Sequence, residues 1–352
     1  MGILVYSSVP GYTPLLLMWK LFLLMPICIM AAPSPLTHPQ NSQQLLQPLP
    51  IGSVHQQVAP IEASQPLMHL MMGMLNYTRS SYCIDGLDTW SCATCGGPTH
   101  HTTDITLIGD PLFTAFAFTA LNIPTHRIVV SFRGTRNLDN WIKDITTATP
   151  DSPFPGSPPG AKVHLGFLLA WEQIREEVLE EVNKLVQLYP EFDIVLTGHS
   201  LGGALTTMAA MDLITRLNLD PEKMTLFTIN QPRTGNNHFA HWVASINFNM
   251  VLRVVNQNDL TPHLPPIFTG FSHHPTEIWI AGPNGPTFVC PAYDGESTVQ
   301  NGLPKISLPW ADDDDEDDTP VEGQGCANSL HFGLDITKHL YVWDVPIGVG
   351  AC

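Results

Sequence analysis

A serine hydroxyl becomes a useful nucleophile at neutral pH only when a base can take its proton and a further group orients that base. In this chain the serine best placed for such chemistry lies in Gly198-His199-Ser200-Leu201-Gly202, a G-x-S-x-G stretch. The apolar run Ile194-Val195-Leu196 precedes it. Gly203-Ala204-Leu205-Thr206-Thr207-Met208-Ala209-Ala210-Met211, rich in helix formers, follows. Strand, sharp turn and helix in that order form the context in which this motif lifts a hydroxyl out of a sheet edge. Gly198 and Gly202 suit a turn too tight for a Cβ. The helix N-terminus beside Ser200 aims N–H groups at a developing negative charge.

The partners of such a serine follow in the order Ser, Asp, His along an α/β-hydrolase chain, on loops after later strands. Asp259 lies four residues past an apolar run ending at Val255, in Asn256-Gln257-Asn258-Asp259-Leu260-Thr261-Pro262. Asp294 has no clear strand before it, and the acidic run from Asp312 to Asp318 is too solvated to orient a base. Five histidines follow Asp259: His263, His273, His274, His331 and His339. His263 sits between prolines and reads as part of a rigid turn, while His273 and His274 read as loop. Spacing does not separate His331 from His339. Three other polar residues read as structural. His199 is positional, His164 is a hydrogen-bonded core residue rather than a metal ligand, and Arg133 makes a structural hydrogen bond or ion pair.

The elements that would position these groups come from hydrophobic periodicity. Met68 to Tyr77 is an apolar helix candidate. Arg127 to Phe132, Asp193 to Thr197, Leu226 to Ile229 and Val251 to Val255 read as strands. Phe167, Trp171, Ile174, Val178, Val182 and Leu185 recur at spacings of three and four, which predicts one helix face from Phe167 to Leu188, ended by Pro190. Leu201 to Leu217 is the helix after the turn. Alternation of strand and helix predicts an α/β fold, with a mostly parallel central sheet flanked by helices.

The 352 residues suffice for one large domain. A net charge of −17 argues against nucleic acid as a partner. Seven of the 32 acidic residues lie between Asp312 and Asp318, a solvated run. Leu15 to Ala32 is apolar apart from Lys20, with small residues at Ala31-Ala32, which reads as a secretory signal peptide over residues 1–32. The long lead before Met18 makes that residue an alternative start, and a retained anchor is the competing reading, opposed by the short apolar core. Residues 33–62, rich in Pro, Gln and Ser, read as a propeptide or linker, and 63–352 as the domain. Of seven cysteines, Cys28 falls in the leader, leaving Cys83, Cys92, Cys95, Cys290, Cys326 and Cys352. An even set in an exported chain suggests disulfides, and the absence of a second C-x-x-C argues against zinc. Asn76-Tyr77-Thr78 is a glycosylation sequon.

Six motifs in order add a resemblance. They are Ser131-Phe132-Arg133-Gly134-Thr135, Arg136-Asn137-Leu138-Asp139-Asn140-Trp141-Ile142, Gly160 to Phe167, Gly198 to Ala204, Asp259 to Pro266 and Cys326-Ala327-Asn328-Ser329. From about Met68 to Cys352 the sequence resembles the secreted fungal class 3 triacylglycerol lipases of the Rhizomucor and Thermomyces type. The resemblance implies an α/β-hydrolase with a short amphipathic lid helix, which hydrolyses acylglycerol esters without a cofactor or metal. It implies Ser200 as nucleophile, Asp259 as orienting acid and His339 as base, because His339-Leu340-Tyr341 is nearest to the family's H-L-x-Y segment. Thr135 and Leu201 would supply the oxyanion hole. The implied disulfides are Cys83 with Cys352, Cys92 with Cys95, and Cys290 with Cys326. Two departures stand out: Lys338 where the family commonly has Asp, and a much longer segment between Cys290 and Cys326.

Feruloyl esterases and phospholipases share this fold class, and the lid separates them. Leu138, Trp141, Ile142 and Ile145 form one apolar face, with polar residues opposite. Such a lid suits a lipid–water interface and a long-chain acylglycerol, met by a secreted, extracellular monomer. A non-catalytic surface-binding protein is a further alternative, opposed by the complete triad and both oxyanion elements.

Overall fold

A computed structural model describes residues 59–112, 114–138, 146–290, 296–300, 303–307, 325–330 and 333–352. The leader, the acidic run, His331, Asp294, Trp141 and Ile142 lie outside these residues.

Nine strands form one mixed sheet. In chain order they are β1 (Ile61–Glu62), β2 (Thr102–Ile108), β3 (Ala117–Asn122), β4 (Arg127–Phe132), β5 (Asp193–His199), β6 (Met224–Ile229), β7 (Met250–Asn256), β8 (Glu277–Ile280) and β9 (Thr287–Cys290). Their order across the sheet is β1-β9-β8-β7-β6-β5-β4-β3-β2. Neighbours from β4 to β8 run parallel. Both flanks are antiparallel, β2 and β3 at one side and β9 and β1 at the other. The sequence reading captured β4 to β7, whose near-continuous apolar runs reflect burial on both faces. All six residues of β6 are buried.

Alternate residues of the central strands serve two cores. Ile128, Val130, Phe132, Ile194, Leu196 and Leu226 point to one side. There they meet α2 (Leu165–Glu172), α3 (Arg175–Leu188), α4 (Leu201–Arg216) and α5 (Asn237–Ser245). Val195, Phe227, Ile229, Leu252 and Val254 point to the other, where α1 (Gln65–Ser80) contributes Leu67, Met71, Met74 and Leu75. Ser64 caps α1 by accepting the Leu67 amide at 3.4 Å, and Pro66 sits in its first turn, where no N–H is needed.

The helix expected from Phe167 to Leu188 is two helices. Phe167, Trp171, Ile174, Val178, Val182 and Leu185 are all buried. At Gln173 and Ile174, however, the amides bond to Ala170 and Trp171, and the chain tightens into i→i+3 geometry. The buried stripe continues through the break, which is why periodicity does not reveal it. In α4 every residue from Leu201 to Leu213 is buried, and its glycines and alanines let the helix lie close on the sheet.

Three disulfides join Cys83 to Cys352, Cys92 to Cys95, and Cys290 to Cys326. Between Cys290 and Cys326 the long segment contains a hairpin, Glu296–Gln300 against Leu303–Ser307. Among the described residues no helix is long and apolar enough to cross a membrane.

Candidate active site

The parallel strands end together. Phe132 of β4 pairs with Gly198 of β5, His199 with Ile229 of β6, and Ile229 with Val254 of β7. Thr135, Ser200, Asn230 and Asp259 all follow these carboxyl ends, the edge at which open α/β sheets bind ligands. The base comes from a separate loop, a short 3-10 turn over Ile336–Leu340.

Ser200 has φ 59° and ψ −128°, a left-handed conformation that a residue with a side chain avoids. Holding it takes on the order of 1–3 kcal/mol, supplied by the packing around it. The Ser200 amide bonds to the Ile229 carbonyl at 2.9 Å, and the Gly203 amide to the Ser200 carbonyl at 2.9 Å. A Cβ on Gly198 would strike the Gly202 carbonyl, and one on Gly202 would strike the Phe132 carbonyl. The motif's two glycines therefore let the turn close on itself and press against the end of β4.

His339 is buried, and its Nδ1 lies 2.7 Å from Asp259 Oδ2. Asp259 is fully buried, and its Oδ1 accepts the Thr261 amide at 3.0 Å. Burial pushes the Asp259 carboxyl up from its ordinary value, while His339 and the Thr261 amide pull it back. With Nδ1 donating to the carboxylate, His339 Nε2 is a bare acceptor. Among the described residues neither His339 Nε2 nor Ser200 Oγ has a hydrogen-bond partner, and both are buried. A buried polar atom without a partner calls for an explanation, and a nucleophile and its base supply one for these two.

Several side chains fix the main chain of the base. His199 Nε2 lies 2.9 Å from the His339 carbonyl, and Asn230 Nδ2 donates to the same oxygen at 3.3 Å. Asn256 Nδ2 donates to the Lys338 carbonyl at 2.8 Å. The Asp335 amide donates to the Asn258 carbonyl at 2.8 Å. At Lys338, the departure from the Asp common in the resembled family, it is the backbone carbonyl that makes this anchoring contact. Asn230 and Asn256 were not read from sequence, although a polar residue closing an apolar strand was the available signal.

The other candidates sort out in the same way. Leu201 is the first residue of α4, whose opening amides have no partner within the helix. Thr135 is half-buried, and its Oγ1 accepts the Asn137 amide at 3.3 Å. A Cβ on the preceding Gly134 would lie 3.0 Å from Ser200 Cβ, so the two segments are in contact. Leu138 is half-buried at the start of the expected lid. Arg133 is buried, with its Nε donating to Gly134 O at 3.3 Å, Nη1 donating to Pro111 O and its guanidinium over Phe116, a structural role. His164 caps α2 through the Phe167 amide at 3.3 Å, and its Nε2 donates to Thr146 O at 2.8 Å. His273 donates from Nε2 to Pro262 O at 2.8 Å. Glu277 lies beside Cys290 and Cys326, a potential metal grouping whose sulfurs are joined in a disulfide. Asn76 lies mid-helix in α1, and Thr78 Oγ1 is buried and donates to Met74 O at 3.1 Å. The sequon is thus on a helix, with Asn76 itself partly exposed.

A serine at a strained strand-to-helix turn, on a sheet with a parallel centre and helices on both faces, defines an α/β-hydrolase. The class 3 lipase family pattern matches residues 129–269. The chain is 36% identical over 208 residues to a lipase of Rhizomucor miehei, covering 57% of this chain and 55% of that protein. It is 30% identical over 216 residues to secreted mono- and diacylglycerol lipase A of Penicillium cyclopium, covering 60% of this chain and 68% of that one. The solved structure of the Rhizomucor miehei triacylglyceride lipase matches with a TM-score of 0.69 at 28% identity, over 83% of this chain and 99% of that one. The chain spans about half the length of the first of these relatives. It belongs to the class 3 lipase family.

Proposed function

We propose that this protein is a secreted triacylglycerol lipase acting through a Ser200–His339–Asp259 triad. The observation that carries this reading is the buried 2.7 Å His339–Asp259 pair, which leaves Nε2 bare, together with a strained serine whose hydroxyl is also unpartnered. Ser200 Oγ attacks the ester carbonyl while His339 Nε2 takes its proton. The oxyanion that forms is held by the Thr135 and Leu201 amides, each contributing about 3 kcal/mol. His339 gives the proton to the leaving alcohol. Water, deprotonated by the same nitrogen, then attacks the acyl-serine, and the fatty acid leaves as His339 returns the proton to Ser200 Oγ. Asp259 keeps the imidazole in the right tautomer and stabilises its charged form.

The apolar face of the segment after Thr135 supports a long-chain ester at a lipid–water interface over a small soluble one. Export is supported by the apolar leader and by three disulfides, which persist in oxidising compartments. Hydrolysis of emulsified triolein, diolein, phosphatidylcholine and methyl ferulate by the purified chain tests the substrate class. Triolein turnover well above the last two is expected. A preference for phosphatidylcholine or methyl ferulate overturns the lipase reading, and diolein without triolein would move it to partial glycerides, as the Penicillium relative's name has it.

A further inference from the structure

Tyr82 and His199 are buried together, and the proposed chemistry uses neither. The Gly134 amide donates to Tyr82 Oη at 3.1 Å. Tyr82 Oη lies 2.7 Å from His199 Nδ1, and His199 Nε2 lies 2.9 Å from the His339 carbonyl. A carbonyl only accepts, so Nε2 must carry the hydrogen. Burial and the neighbouring His339 hold the His199 imidazole well below its ordinary pKa, so it is neutral and Nδ1 is the acceptor. The tyrosine hydroxyl must then donate to it, and burial keeps that hydroxyl protonated. Every hydrogen in the chain Gly134 N–H, Tyr82 O–H, His199 Nε2–H has one direction only.

The three groups joined in this way are telling. Gly134 precedes Thr135, His199 precedes Ser200, and the accepting carbonyl belongs to His339 itself. The His199 ring also packs against the His339 ring, centroids 4.4 Å apart at 36°. Tyr82 is pinned in turn by its neighbour Cys83, bonded to Cys352. Two properties of an imidazole suit this position. It carries a donor and an acceptor at opposite sides of a rigid ring, and it stays uncharged beside a base that must accept a proton in each cycle.

We infer that Tyr82 and His199 are positioning residues that set His339 and the Thr135 amide relative to Ser200. This inference rests on the triad reading. The test uses the full chain, with active sites counted by organophosphate titration, on a soluble p-nitrophenyl ester. Tyr82→Phe removes one oxygen and keeps the ring. It should lower kcat per titrated site by about 10- to 100-fold, the scale of small misplacements in an active site, with KM within about twofold. It should also shift or broaden the downfield proton signal of the His339–Asp259 hydrogen bond. His199→Leu should behave alike, and His199→Gln, which keeps a donor and an acceptor, should recover part of the loss. Should His199→Leu fail to fold, Tyr82→Phe alone still decides. A Tyr82→Phe enzyme with wild-type kcat per site and an unmoved signal overturns the inference, even if its Tm falls. If wild type is not titrated at Ser200, the triad reading itself has failed, a result distinct from an unchanged variant.

Discussion

Opening the disulfides one at a time should destabilise the protein in an order set by loop length. The bonds span 269, 36 and 3 residues for Cys83–Cys352, Cys290–Cys326 and Cys92–Cys95. In the chain-entropy model these closures contribute about 5.6, 3.8 and 1.6 kcal/mol. Alanine pairs are the cleaner replacement, because a serine would bury a new hydroxyl. The terminal segment keeps other attachments without its disulfide. Val342 and Ile347 are buried in the α1-side core, and Arg79 Nε donates to Pro346 O at 2.8 Å. The fold should therefore survive Cys83→Ala with Cys352→Ala. For a domain of about 290 residues the loss corresponds to a Tm about 9 °C lower. Equilibrium guanidinium unfolding, followed by tryptophan fluorescence, gives the three differences directly. If the Cys92–Cys95 pair cost as much as the terminal one, loop closure would not be the source of the stabilisation.

Three further outcomes follow from the structure and the sequence. The buried His274 has its pKa lowered to about 4 by desolvation. The unfolded chain therefore binds the extra proton between about pH 6.5 and 4, and stability contributed above 6.5 is lost as pH falls through that window, on the order of 3 kcal/mol. His274→Gln should flatten that part of a urea-unfolding pH profile, and an unchanged slope would contradict the assignment. Gly202→Ala should lower kcat at least about 100-fold, because its methyl would push the serine turn off the Phe132 carbonyl; near-normal activity in a folded variant would refute that packing. Trp141→Ser should blunt the rise in activity as triglyceride passes its solubility limit, by removing about 1.5–3 kcal/mol of apolar transfer. A smooth saturation curve, the same in both proteins, would remove the case for a lipase lid.

Much of the site was legible before the fold was known, for reasons specific to each residue. Ser200 sits between an apolar strand and a small-residue helix, so its turn is written in local sequence. Asp259 follows an apolar strand at loop distance. His339 lies on an irregular loop with no period to read, and only the resemblance separated it from His331. The flanking strands were harder. In β2, Thr102 and Ile108 are buried but the five residues between them are partly or fully exposed, which blurs the apolar signal. The contact between Tyr82 and His199 joins residues 117 positions apart and leaves no trace in spacing.

The central claim is that one serine, activated by one histidine, does the chemistry. Stoichiometric labelling with a reporter organophosphate, followed by peptide mapping, tests it most directly. One equivalent should be found on Ser200, formed quickly in wild type and in His331→Ala but very slowly in His339→Ala. Label on another serine, or rapid labelling of Ser200 in His339→Ala with loss in His331→Ala, would contradict the account.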